Sequence, residues 1–218
     1  MSSTLQAATA DHGDSHGLES DDPNFGKATG GKVAMWMFIA QDGMSFGGLL
    51  FAYGVLRFSA QEWPVPAEVL GISLTAIATF LLICSSLSMV FAVLAAQEKN
   101  QQGLVRWLGV TIIGGAAFLG IQVYEYYHLV HSGIGFTTST HNGEAINNLF
   151  GTTFYAVTGF HGLHVLSGVI YLCCIYRGAK AGKYTQGGTS YSPVELVGLF
   201  WHFVDLVWIL VFTFIYLL

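Results

Sequence analysis

The stretch LFWHFVDLVWILVFTFIYLL, residues 199–218, decides the fold class. Apart from a hydroxyl or two, its only polar side chains are His202 and Asp205. An α-helix rises 1.5 Å per residue, so about twenty apolar residues cross a hydrocarbon core roughly 30 Å thick. Read outward from it, four more segments of this kind precede it. The five are predicted near 32–58, 68–96, 104–130, 149–176 and 194–217. The linkers between them are short and polar: SAQEWPVP, QEKNQQG, HSGIGFTTSTHNGEAIN and RGAKAGKYTQGGTSYSP. None is long enough for a second domain.

Composition agrees. The chain has 218 residues, 53% hydrophobic and only 10% charged, where soluble domains carry about 25% charged residues. Its mean hydropathy is +0.55. Twenty-seven glycines exceed the usual ~7%, as expected where small residues let membrane helices approach. GMSFG, Gly43 to Gly47, is one GxxxG, a weak signal alone. The net charge of −5 and the lack of a basic patch exclude nucleic acid as a partner. Cys84, Cys173 and Cys174 lie in apolar runs and form no disulfide or metal-binding spacing. Residues 1–31 are polar and are expected as a disordered or extended tail. They lack the basic start and apolar core of a secretory signal.

The expected architecture is therefore an all-α integral membrane protein, a five-transmembrane-helix bundle over 32–218. Basic residues orient it. Lys27, Lys32, Lys99, Arg106, Arg177, Lys180 and Lys183 flank one side of five alternating crossings, and only Arg57 flanks the other. That asymmetry places the N-terminus in the cytoplasm and the C-terminus outside. Trp63, Trp107, Tyr126, Tyr127, Tyr184 and Tyr191 fall near segment ends, as interfacial aromatics do.

The polar residues inside the apolar segments carry the functional question. Glu125/His128, His161/His164 and His202/Asp205 each stand three apart, so each pair is expected on one helix face. A charge at mid-membrane costs about 2.5–3.5 kcal/mol on insertion scales, so such groups face protein or internal water. By rise per residue, Asp42, His161, His164, His202 and Asp205 fall at one mid-membrane level, with Asp42 roughly 15 Å from the inner end of its helix. Glu125 and His128 fall near the outer surface. His202 and Asp205 are expected to satisfy each other. Asp42 has no basic residue within a turn, which points to proton handling or a subunit contact. All seven are candidates for those two roles. Catalytic residues, cofactor ligands and metal ligands are not expected on this chain. Nucleophile motifs, phosphate loops and nucleotide fingerprints are absent from the sequence. A bis-histidine haem would need facing imidazoles on two helices.

At this point a resemblance enters. GTTFYAVTGFHGLHVLSGVIYL (151–172) and LFWHFVDLVWILVFTFIYLL (199–218) closely resemble subunit III of haem–copper terminal oxidases. IQVYEYYHLV (121–130) and MWMFIAQDGMSFGGLLFAYGV (35–55) resemble further parts of that subunit. The resemblance runs from about 32 to 218. The mitochondrial-type subunit has seven helices and a lipid-filled cleft; this chain resembles its last five, as in many bacterial forms. Many members carry Glu where this chain has Asp42, so the carboxylate here has a shorter reach.

The resemblance implies a non-haem, non-copper subunit of a proton-pumping cytochrome c oxidase in the bacterial inner membrane. It would pack directly on subunit I, alongside subunit II and other respiratory-chain subunits. Haem and copper would lie in those partners, and a phospholipid would be bound. The expected contribution is to assembly, proton uptake and durability of the catalytic site during aerobic electron transport. The alternatives are subunit III of a quinol oxidase, an accessory protein of a nitric-oxide reductase, or, more remotely, an independent membrane haem protein or proton-coupled carrier.

Overall fold

The computed structural model describes residues 30–61, 63–66, 70–136, 140–141, 144–145, 148–185 and 191–218. The tail expected over 1–31 lies outside the described residues except for its last two positions, which already belong to a helix. Five long helices follow one another: α1 (Gly30–Ser59), α2 (Ile72–Gln97), α3 (Gln101–His131), α4 (Asn148–Lys180) and α5 (Ser192–Val211). The last continues as a π-helical turn, Phe212–Leu217. Between α3 and α4, Thr140–His141 and Glu144–Ala145 pair as two antiparallel two-residue strands. The five expected segments are thus five helices, each within a few residues of its expected ends.

Four of the five, α2 to α5, are long and apolar enough to cross a membrane. At 30 residues α1 is long enough as well, but Gln41 and Asp42 stand together in its centre and glycines 43, 47 and 48 dilute its apolar content.

The turns follow from residues that tolerate a left-handed backbone. Gly133 and Gly182 end α3 and α4 with positive φ. Each is followed by a six-to-one bond, Ile134 N–H to Leu129 O and Lys183 N–H to Gly178 O, which satisfies a carbonyl the helix end leaves open. Lys99 takes the same role after α2, at φ 57°, and Asn100 N–H reaches Ala95 O. The Asn100 side chain then accepts from Gly103 N–H at 3.0 Å and caps α3. A three-residue reversal, Glu98 to Asn100, thereby sets α2 and α3 side by side as a hairpin, the most extensive packing in the bundle. Pro193 begins α5, where its missing N–H is not needed.

α5 is central. It packs against α2, α4 and α1, and Trp201 and Trp208 are its largest fully buried side chains. α1 lies at the edge, resting on α5 and α4. Trp201 occupies a slot closed by two glycines. A Cβ on Gly115 would stand 2.5 Å from the indole, and one on Gly168 would stand 3.0 Å from it. The GxxxG of α1 makes no such crossing within the chain. Gly43 has only Phe203 nearby, at 3.8 Å, and Gly47 has nothing within 4 Å. Outward-facing apolar side chains such as Phe51, Phe80, Ile113 and Leu163 are what a lipid-facing surface requires.

Candidate functional site

The polar residues singled out in sequence do not act as the pairs their spacing suggests. Each meets a partner on a different helix, or none.

Asp42 is the clearest case. No base lies near it along the chain, yet His164 of α4 comes to it across the bundle, with Nε2 3.3 Å from Oδ1. The two side chains are only 10% and 16% exposed. His164 Nδ1 lies 2.8 Å from the carbonyl of Phe160. A carbonyl only accepts, so Nδ1 carries a hydrogen. Nε2 therefore faces the carboxyl either as a second N–H against a carboxylate or as a lone pair accepting from a protonated acid. Both arrangements hold one proton in the contact and leave the pair neutral overall. Phe46 and Phe160 pack against the imidazole, with ring centroids 5.2 and 4.6 Å away. The other oxygen of Asp42, Oδ2, is buried without a protein partner.

His161, three residues before His164, is fully buried and serves another face. It stacks on Trp208, centroids 4.8 Å apart, and meets Phe118 edge-on. Neither of its nitrogens has a hydrogen-bond partner. Facing Phe118 and Trp208, His161 has no second imidazole opposite it. Among the described residues, no three His, Cys, Asp or Glu side chains converge as a metal site would require.

His202 and Asp205 do not satisfy each other directly, as had been expected. His202 meets Ser86 of α2 instead, whose hydroxyl lies 2.7 Å from Nδ1. Asp205 Oδ1 remains buried and unpaired.

Glu125 and His128 separate completely. Both lie towards the C-terminal end of α3, but His128 is exposed, whereas Glu125 is buried among its neighbours. One Glu125 oxygen meets Thr75 Oγ1 at 2.9 Å; the other accepts from the Tyr216 hydroxyl at 3.0 Å. A step of three residues turns a helix by 300°, leaving about 60° between the two side chains. On a narrow interface that angle divides inside from outside.

Several residues that complete these contacts were not singled out in the sequence. α2 reads there as almost wholly apolar, yet it presents a row of hydroxyls to its neighbours. Thr79 accepts from Trp208 Nε1 at 2.9 Å, Ser85 accepts from Trp201 Nε1 at 3.2 Å, and Ser88 bonds Thr111 at 2.7 Å. A second knot joins α3 to α4. Gln122 donates to Thr158 O and to the Tyr126 hydroxyl, and that hydroxyl bonds Thr158 Oγ1. Tyr126, expected at the interface, thus works inside the bundle. The spacings 75/79 and 85/88 carry the helical signal, since hydroxyls three or four residues apart in a membrane helix mark a face that bonds its neighbours.

At one end of the bundle, Lys32 of α1 and Glu195 of α5 form an ion pair at 2.7 Å. Both line a cavity of about 390 Å³, together with Trp36, Val90, Leu94 and His202. At the opposite end of α1, Arg57 donates to the Leu218 carbonyl. Tyr184, beyond the end of α4, folds back over Gly178; burial pushes its phenol above the ordinary range, helped by Tyr171 and Cys174 nearby. The arrangement holds polar groups at defined places inside an apolar bundle.

Comparison with known proteins adds a family match and three relatives. The family model described as cytochrome c oxidase subunit III matches residues 19–218. A cytochrome c oxidase subunit 3 of Thermostichus vulcanus is 34% identical over 187 residues, covering 85% of this chain and 86% of that one. A probable cytochrome c oxidase subunit 3 of Nocardia farcinica is 37% identical over 185 residues, covering 84% and 86%. A cytochrome bo(3) ubiquinol oxidase subunit 3 of Pseudomonas putida is 32% identical over 186 residues, covering 85% and 84%.

Proposed function

Because the chain belongs to the cytochrome c oxidase subunit III family of haem–copper oxidases, we propose that it is the five-crossing subunit III of a bacterial cytochrome c oxidase, without haem or copper of its own. As subunit III of a multisubunit oxidase, it is an integral membrane protein that works in a complex with other oxidase subunits. In this reading it packs directly on subunit I, whose haems and copper reduce oxygen, and lies beside subunit II in the inner membrane. Both cytochrome c and ubiquinol oxidase subunits occur among its relatives. We favour cytochrome c as the donor.

The Asp42–His164 pair supports this reading best. It holds a proton inside the membrane-embedded bundle, at a place where a proton-pumping partner has use for one. In the proposed orientation it lies roughly 15 Å from the cytoplasmic end of α1, the side from which protons are taken up. Asp42→Asn should preserve the contact, because the amide can donate to a neutral His164 Nε2. The expected result is an assembled oxidase with normal initial oxygen consumption that slows at high pH, or inactivates after fewer turnovers. An Asn variant equal to wild type at every pH and over prolonged turnover would remove the proton role. Reduced cytochrome c and a quinol, each supplied to the purified complex, separate the two donors.

The orientation has its own check. With the N-terminus in the cytoplasm, a cysteine at Ser2 resists an impermeant reagent added outside intact cells, and a cysteine at Ser132 reacts. The reverse pattern inverts the bundle.

A further inference from the structure

Glu125 is bonded from two directions and is not among the groups used for the proposed function. It lies on α3, 5% exposed. Thr75 approaches from α2 and Tyr216 from the π-helical turn that ends α5. The side chains packed around it are Thr75, Ala78, Phe118, Gln122 and Trp208, with the phenols of Tyr126 and Tyr155 nearby. Among the described residues, no cation stands within ion-pair distance of Glu125.

The directions of the bonds follow from the groups. Tyr216 donates to one Glu125 oxygen. Thr75 has one hydroxyl hydrogen and two neighbours that accept, the other Glu125 oxygen at 2.9 Å and Gly71 O at 3.2 Å. If Glu125 were a carboxylate, Thr75 would donate to it, and Gly71 O would keep only the backbone N–H groups of Leu74 and Thr75. The charge would then rest on two neutral donors inside an apolar bundle, with no cation among the described residues to balance it. If Glu125 carries a proton, the carboxyl donates to Thr75, and the Thr75 hydroxyl donates to Gly71 O beside those two N–H groups. No charge is then buried, and both side-chain contacts of Thr75 are made.

We propose that Glu125 is a neutral carboxylic acid, the middle member of a one-way chain of hydrogen bonds. That chain runs from Tyr216 through Glu125 and Thr75 to Gly71, and it latches the C-terminal turn of α5 onto α2 and α3. Glu125 is thus a positioning residue, and its role holds for either electron donor.

The test uses the full chain in detergent or a lipid disc, with glutamate ¹³C-labelled at the carboxyl, by infrared spectroscopy in D₂O at pH 8. Glu98 is an exposed surface group, and Glu195 is the partner of Lys32. The expected result is a protonated-carboxyl band that shifts with the label and vanishes in Glu125→Gln. Glutamine donates to Thr75 and accepts from Tyr216, so that variant should retain slow amide exchange over residues 212–218. Glu125→Ala should raise exchange there at least tenfold. The proposal is overturned if all glutamate intensity of the wild type lies in carboxylate bands. It is equally overturned if the Gln variant exchanges as fast as the Ala variant.

Discussion

Gly115→Ala removes most of the folded chain. One methyl group is added, but its carbon would sit 2.5 and 2.9 Å from two indole carbons of Trp201 and 2.9 Å from Val169. The indole cannot retreat. Gly168 bounds it on another side, a Cβ there standing only 3.0 Å away, and its N–H is tied to Ser85. Overpacking of a close-packed core costs about 1–3 kcal/mol, and more where neighbours are fixed; the upper end is expected here. The measurement is unfolding of the purified chain in graded denaturing detergent, with subunit retention in the oxidase as a second readout. Trp201→Phe shrinks the ring and should restore part of the loss when combined with Gly115→Ala. A Gly115→Ala variant as stable as wild type would show that the slot is not tight.

The second large effect is at the pair between α1 and α4. His164→Ala leaves the Asp42 carboxyl without its partner, and Asp42→Ala leaves His164 Nε2 without one. Stranding one member of a buried polar pair costs about 2–3 kcal/mol, so either variant should detach α1 and lower subunit retention sharply. The double variant leaves neither group stranded and should lose about 1–2 kcal/mol less than the sum of the two. Simple additivity of the losses would mean that the two side chains do not interact.

Much of the fold was legible because a bilayer allows few solutions. A run such as 199–218 has one way to satisfy its backbone in lipid, and five such runs with short linkers leave a helical bundle. α1 shows the limit: its helix was clear, but Gln41, Asp42 and three glycines leave it less apolar than α2 to α5. The candidate polar residues were visible for the same reason, since a histidine or carboxyl stands out in an apolar run. Their partners were not. Asp42 meets His164 through tertiary packing, 122 positions along the chain. His202 meets Ser86 of another helix rather than Asp205. Spacing assigns a face only to within about 60°, and that angle separates buried Glu125 from exposed His128. The hydroxyls of α2 were overlooked because each alone scarcely alters hydropathy.

The position of α1 at the edge of the bundle bears on how the chain is made. Helices α2 and α3 emerge from the ribosome in sequence and share a three-residue reversal, so they can pair as soon as both have entered the membrane. α1 leaves first but rests on α4 and α5, which are synthesised last. During that interval Asp42 has no imidazole to meet, because His164 is still to be translated. Until the fourth segment arrives, α1 carries an unpartnered carboxyl, which is costly in an apolar setting. Completion of the subunit is then signalled by the capture of its own first helix.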